Sequence, residues 1–529
     1  MVEGMDNFDV VIVGSGINSL VCAAMLVRKN KRILVLERSA VAGGCIRTEE
    51  ITVPGFRHDL FSMSYPLFVM APHYPVLKEQ LEAGGLKFVS GGVPTAVVLP
   101  DGRSLVFTQS RDENVAAMNA LSPGDGDAYH AAMTDVEREA SLIFSILGQE
   151  PWSWATGKAF INELFRRGPR ELGAFIGEAM PTQRSWLERE FRSDLVRALF
   201  APWILHTGMG PDDAMGALMT KVIMFTLETA GIPFVAGGSS RIVDAFGKLI
   251  ESNGSVIETN VDVTGVIVEN GKAVGVETSD GRRVNAREAV VCNVTPTQLY
   301  QRLLPTASIP DNIAARARAF TYGRADMQIH VALSAPPEWH DPRLADVALI
   351  HVTPGLDGVS RAVHDAEQGL LPAEGTIVVG QPAKADPSRC PPGRALLWIQ
   401  LQELPRAVRG DAAGEIAAPS HGDWTADVAE AYAQRVMKRL GRHVVNLDRV
   451  TIKSAVLSPA DLERDNINLV GGDPYSGACT VGQFHLWRPF PGSRNHRTVI
   501  NSLYHIGAST HPGPGLGGMS GYLAAQDIQ

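Results

Sequence analysis

Gly14-Ser15-Gly16 interrupts the apolar run Phe8 to Val13, and Glu37 follows Gly14 by 23 positions. These residue types at this spacing suit a dinucleotide. Gly14 permits a tight turn out of a strand, and Gly16, lacking a Cβ, lets a pyrophosphate approach the backbone closely. An acid at position 37 can accept hydrogen bonds from both ribose hydroxyls and disfavours a 2′-phosphate. Ser15, Asn18 and Ser19 are the other residues of this turn assigned to the ligand. Ser19 stands where G-x-G-x-x-G has its third glycine, which serves close helix–strand packing.

The elements that must position these groups are readable. Phe8 to Val13 is a short Val/Ile-rich run, as in a strand buried on both faces. From Asn18 to Val27 the apolar residues recur at helical spacing, and Arg32 to Leu36 is a second strand. The helix start offers unpaired N–H groups and a positive dipole end to an anion.

A second such element closes the chain. Leu503 to Gly507 reads as a strand, Ala508 to Gly518 as a glycine-rich loop, and Gly521 to Ala525 as the start of a helix. Gly507, Ala508, Gly515, Leu516 and Gly517 are its expected contacts. Two anion-binding helix starts suit two phosphates and a large ring, which fits FAD better than NAD. No second strand-associated G-x-G-x-x-G supplies a nicotinamide site.

The stretch Glu37-Arg38, Gly43-Gly44, Arg47 has the form ER-x4-GG-x2-R and resembles the extended motif of the flavin-containing amine oxidase and phytoene desaturase superfamily. The loop Gly507 to Gly515, G-x-x-T-H-P-G-x-G, resembles the C-terminal signature of phytoene desaturases. It also resembles that of the pyridine nucleotide-disulphide oxidoreductase domain-containing proteins, as do Ser458–Leu462, Gly471-Gly472 and Arg488-Pro489. The resemblance implies an α/β fold. A GR2-type Rossmann FAD-binding domain would be built from discontinuous segments, with an interleaved α+β substrate domain. It further implies that Arg38, Gly43, Gly44 and Arg47 contact FAD, that Val263 holds adenine through its backbone, and that Tyr65 and His511 lie beside the flavin ring. Tyr65 and His511 are the candidate catalytic groups, each set against a purely structural role. His206, in an apolar context, is expected to be a satisfied buried histidine.

The expected layout has FAD segments at 1–75, 231–300 and 456–529, and substrate-domain segments at 76–230 and 301–455. Residues 112–230 read as largely helical and 334–394 as loop-heavy. The resemblance is faint over 112–230 and 334–450, where a substrate would be encoded.

Composition bounds the rest. With 529 residues, 45% hydrophobic and 20% charged, the chain is an ordinary globular protein too long for one simple core. A net charge of −9 without a basic cluster argues against nucleic acid. Five scattered cysteines without C-x-x-C fit a reducing compartment and no metal site. No signal peptide or membrane-length apolar run is evident, so the cytoplasm is expected; peripheral membrane contact stays open, as does the oligomeric state. The reading is an FAD-dependent oxidoreductase or desaturase moving hydride from a C–H of a hydrophobic or extended small molecule to flavin N5. An amine oxidase is second, because no Trp or Tyr pair stands in the C-terminal loop. A non-catalytic binding protein of the Rab GDP-dissociation inhibitor type is third, opposed by Glu37 and both glycine turns.

Overall fold

The computed structural model describes residues 8–528. Five parallel strands run in the order Val256–Glu258, Ile33–Leu36, Phe8–Val13, Arg283–Asn293 and Leu503–Ile506. Both faces of this sheet are covered, which is why its strands read as continuous apolar runs. Val10, Ile12, Val35 and Val291 pack with the helices Ile17–Val27 and Ser240–Glu251. Val11, Leu34, Val290 and Cys292 pack on the other face. The hairpin Val263–Glu269 and Lys272–Thr278 joins through the first half of the long strand Arg283–Asn293.

A second, seven-stranded sheet makes the other half. Its order is Thr451–Leu457, Ala325–Leu333, Ala395–Leu404, Ile377–Gly380, Val347–Val352, Val93–Val98 and Ser104–Phe107. One face packs on the helix Ala426–Leu440. The other meets helices drawn from residues 111–230, including Asp194–Phe200 and Gly216–Ala230. That stretch is helical as expected.

The loop-heavy expectation for 334–394 is corrected. The segment contains the strands Val347–Val352 and Ile377–Gly380 and the helix Leu356–Glu367. Both strands are fully buried in the middle of the sheet, so tertiary pairing overrides the Pro/Gly-rich local signal. Two segment edges also shift. Leu77, Leu81 and Leu86 join the core around the first helix, so residues 76–86 pack with the first segment. Leu303, Ile309, Ile313 and Phe320 join the core beneath Val11, extending the middle segment past 300.

The halves are tied by a buried ion cluster. Arg389, fully buried, pairs with Asp59 at 2.8 Å and Asp386 at 2.9 Å, and donates to the Val235 carbonyl at 3.0 Å. The same two acids accept the backbone N–H groups of Ser239 and Gly237. Breaking one partner of such a cluster leaves an uncompensated buried charge, at a cost of about 3–5 kcal/mol.

The C-terminal helix Met519–Asp527 crosses the start of the helix Ile17–Val27 at Gly521. A Cβ on Gly521 would lie 1.8 Å from the Asn18 carbonyl oxygen, whereas one on Gly247 would meet open space. Gly521→Ala is therefore expected to destabilise by about 1–3 kcal/mol through overpacking, while Gly247→Ala leaves stability unchanged or slightly raised. Melting temperatures of the two variants decide this; equal values would refute the close approach.

Candidate active site

The carboxyl ends of the parallel strands form one crest, because register places Val13 beside Leu36 and Cys292, and Asn293 beside Ile506. Gly14, Glu37, Asn293 and Gly507 stand along it, where an open α/β sheet offers its crevice. Gly14 takes φ +86°. Gly16 is the N-cap of the helix Ile17–Val27, and no side chain caps that helix. The Ser19 N–H donates to the Gly16 carbonyl at 2.8 Å, and no side chain covers the first-turn N–H groups, where an anion is favoured.

Glu37 holds the turn from behind. Its Oε2 accepts the Ser15 N–H at 3.0 Å and the Ser15 hydroxyl at 2.7 Å, and its Oε1 accepts the Ser39 N–H at 2.8 Å. Lone pairs remain on the carboxylate for further donors. The Ser15 hydroxyl in turn accepts the Gly43 N–H at 2.9 Å, linking the first glycine turn to the glycine pair. Gly44 backs directly onto Gly16: a Cβ there would sit 3.2 Å from the Gly16 Cα.

A cavity of about 870 Å³ runs along this crest and on into the other half of the molecule. Of the expected cofactor contacts, Gly14, Ser15, Gly16, Asn18, Glu37, Arg38, Gly44, Arg47, Val263, Gly507, Ala508, Gly515, Leu516 and Gly517 line it. Ser19 and Gly43 stand one layer behind. Arg47 is already engaged: its guanidinium pairs with Glu49 and approaches Asp465 at 3.8 Å. The Val263 carbonyl accepts from Arg302 at 3.1 Å.

Neither candidate catalytic group stands on the cavity wall. Tyr65 is fully buried beside Phe68 and the first helix, its hydroxyl donates to the Ser62 carbonyl at 3.1 Å, and burial raises its pKa. It does not reach the cavity wall. His511 is 1% exposed, and its carbonyl accepts from His496 Nε2 at 2.9 Å. Its neighbours Pro512 and Gly513 line the cavity and it does not. The Tyr65 ring packs in the core around the first helix, and the His511 backbone ties the C-terminal loop to His496. His206 does line the cavity, with its Nε2 3.0 Å from His351 Nε2; burial pushes its pKa down to about 3, so the pair is neutral.

Three groups have roles that sequence reasoning did not assign. Asn293 sits between the two glycine turns. Its Nδ2 donates to the Ser19 hydroxyl at 2.9 Å, and Cβ atoms on Gly14, Gly16 and Gly507 would each run against it. Ser19 thus does more than replace a glycine: its hydroxyl anchors the neighbouring strand end. Arg488 donates to the carbonyls of Ala508 at 2.7 Å and Tyr475 at 2.6 Å, holding the C-terminal loop. The third group is a polar strip on the second sheet, Asp326, Gln328, Gln400 and Gln402, all facing the cavity. Its signal was present as period-two alternation, D-M-Q-I-H-V at 326–331 and W-I-Q-L-Q at 398–402. Burial pushes the Asp326 carboxyl up to about 8, against which the Gln400 amide and nearby N–H groups of Met327 and Leu401 act only partly.

Comparison with known proteins adds ancestry to this geometry. A family model described as flavin containing amine oxidoreductase matches residues 20–525. The mouse pyridine nucleotide-disulfide oxidoreductase domain-containing protein 2 is 26% identical, the alignment covering 98% of this chain and 93% of that protein. A limonene dehydrogenase polypeptide of Castellaniella defragrans is also 26% identical, covering 98% and 94%. A neurosporene-forming phytoene desaturase of Cereibacter sphaeroides is 24% identical, covering 97% and 92%. Among solved structures, a putrescine oxidase variant superimposes with a TM-score of 0.61 at 15% identity, covering 98% of each chain, and so shares the fold.

The raised Asp326 pKa links stability to pH. The folded state holds this proton in the window between the ordinary carboxyl value, 3.8, and about 8, where the unfolded chain releases it. Stability from this group is therefore present at low pH and lost as pH rises through that window. Relative to Asp326→Asn, the wild type should lose stability between pH 5 and about 7.5 in denaturant melts; parallel curves would show that Asp326 is ionised in the fold.

Proposed function

The chain belongs to the flavin-containing amine oxidoreductase family, and from that premise we propose that it removes hydride from a C–H bond of a hydrophobic or extended small molecule. It is an FAD-dependent oxidoreductase. Bound FAD supplies the hydride acceptor, its N5 atom.

The residues present fit that cofactor. The uncapped helix start at Gly16 and the Gly44 backbone behind it form a cradle that side chains would fill. In this reading Gly14, Ser15, Gly16, Asn18, Gly43 and Gly44 hold the diphosphate, with Ser19 supporting the turn. Glu37, Arg38 and Val263 hold the adenosine end. Gly507, Ala508, Gly515, Leu516 and Gly517 complete the pocket from the second glycine loop. Arg47 contributes positive potential, tempered by Glu49.

The observation that carries the substrate class is the continuity of the cavity. Past the glycine turns its apolar walls include Met63, Ile223, Leu227, Ile232, Leu349 and Trp398. Trp398 is held in place by donating its indole N–H to the Phe61 carbonyl at 3.1 Å. Such walls orient an apolar skeleton and exclude water. Each buried methylene contributes about 0.8 kcal/mol, so ten of them give about 8 kcal/mol, set against association costs of similar size. Shape therefore governs affinity more than charge does. The names limonene dehydrogenase and phytoene desaturase among the relatives agree with an apolar substrate.

Purified protein, reconstituted with FAD if needed, should show oxidised-flavin absorbance that dithionite bleaches and air restores. Gly16→Trp should be colourless; a yellow variant would refute the assigned phosphate turn. Anaerobic mixing with unsaturated compounds of largely apolar skeleton should bleach the flavin while sugars and amino acids do not. The reverse pattern would refute the hydrophobic-substrate reading.

A further inference from the structure

The central strands Ala325–Leu333 and Ala395–Leu404 carry a polar strip that the reading above leaves without a task. Antiparallel register sets Gln328 opposite Gln400. Alternation turns Asp326, Gln328, Gln400 and Gln402 to the cavity, while Met327, Ile329 and Leu401 enter the opposite core. Asp326, Gln328 and Gln402 are only 2%, 2% and 4% exposed.

Their hydrogen bonds do not close among themselves. Gln400 Nε2 donates to Asp326 Oδ2 at 2.5 Å. Gln402 Nε2 donates to the Tyr475 hydroxyl oxygen at 2.8 Å, and that hydroxyl donates to the Leu205 carbonyl at 2.5 Å. Asp326 Oδ1, Gln328 Oε1 and Gln402 Oε1 are left without a protein partner among the described residues. Buried acceptors in that state burden the fold unless something in the cavity satisfies them.

The strip's surroundings define what can. The arginines lining the cavity, Arg38, Arg47 and Arg302, stand at the other end, Arg47 on Glu49 and Arg302 on Asp262. Arg324, next in sequence to the first strand, donates to the carbonyls of Gly208 and Met209 and pairs with Glu367; only its Nε lacks a partner, and the residue does not line the cavity. Arg488 is spent on the C-terminal loop. Two free amide acceptors, a carboxyl group that keeps its proton up to about pH 8 and, among the described residues, no cation on this part of the wall suit an uncharged donor group and disfavour an anion.

We propose that Asp326, Gln328, Gln400 and Gln402 form a subsite for the polar end of the substrate, and that this end carries an O–H or N–H donor and no negative charge. This rests on the reading of the cavity as the substrate site. It makes the substrate amphipathic: an apolar skeleton along Met63, Ile223 and Leu227, with a donor group seated on the second sheet.

The test is calorimetric titration of the FAD-loaded protein with three probes of one skeleton: cyclohexylmethanol, cyclohexylmethylamine and cyclohexanecarboxylate. The alcohol or the amine should bind at least about tenfold more tightly than the carboxylate. Whichever is tighter identifies the donor, and Asp326→Asn should weaken the amine more than the alcohol. Gln328→Leu gives the sharper result, because Gln328 makes no side-chain hydrogen bond to lose. It should melt at or above the wild-type temperature while binding the preferred donor about tenfold more weakly. Gln328→Met serves the same purpose if branching at position 328 disturbs the strand. Carboxylate binding as tight as the donors, or wild-type donor affinity in the leucine variant, would overturn the proposal. A protein without flavin absorbance would instead fail the cofactor reading, so the two failures are separable.

Discussion

The structure depends on backbones meeting where no Cβ fits. At the start of the helix Ile17–Val27, four chain segments converge within van der Waals contact. A Cβ on Gly44 would lie 3.2 Å from Gly16, one on Gly507 2.6 Å from Asn293 Oδ1, and one on Gly521 1.8 Å from the Asn18 carbonyl. These segments come from both ends of the chain and its middle. Their close approach leaves the helix start uncapped and concentrates its positive end on one crevice. The discontinuous assembly and the dinucleotide crevice are thus one physical fact. The fold can bring these segments together only where glycine permits, and that same spot is where a diphosphate can approach backbone.

The second sheet solves a different problem. Its central strands are buried on both sides, yet their two faces differ in chemistry. One face interdigitates with Tyr432, Val436 and Leu440 of a long helix. The other carries Trp398 and the Asp326–Gln402 strip against the cavity. Period-two alternation makes this separation automatic, since a one-residue slip would exchange the faces. Register is therefore under strong control, and the polar strip is retained although each unpaired acceptor disfavours folding.

Between the halves, Arg389 with Asp59 and Asp386 supplies directional order that apolar packing lacks. Two carboxylates and the Val235 carbonyl face one guanidinium, and the acids also accept backbone N–H groups beside the helix Ser240–Glu251. Removing one partner of such a cluster would leave a buried charge uncompensated, so its members act as a unit. Asp59 lies on the segment that follows the glycine pair, so the cluster also sets the crevice wall.

Local chemistry made one part of this protein legible. Gly14, Gly16, Glu37 and the C-terminal glycines act through backbone geometry within a few residues of themselves, so strand, turn, helix and acid could be read in order, and with them the cofactor. The meander and the amphipathic helix Ser240–Glu251 were readable for the same reason, as periodicity is local. What tertiary structure alone decided depends on partners far away in the chain. Tyr65 and His511 carry chemically capable groups, and only packing reveals that both are buried behind the cavity wall. Val347–Val352 and Ile377–Gly380 become strands because neighbouring strands complete their hydrogen bonds. Asp326 and Gln400 meet because two strands far apart in sequence pair in one register. The sequence by itself determined the glycine-turn end of the cavity, whose chemistry lies in the backbone; the tertiary structure decided the second-sheet end, whose chemistry lies in side chains whose neighbours only the fold supplies.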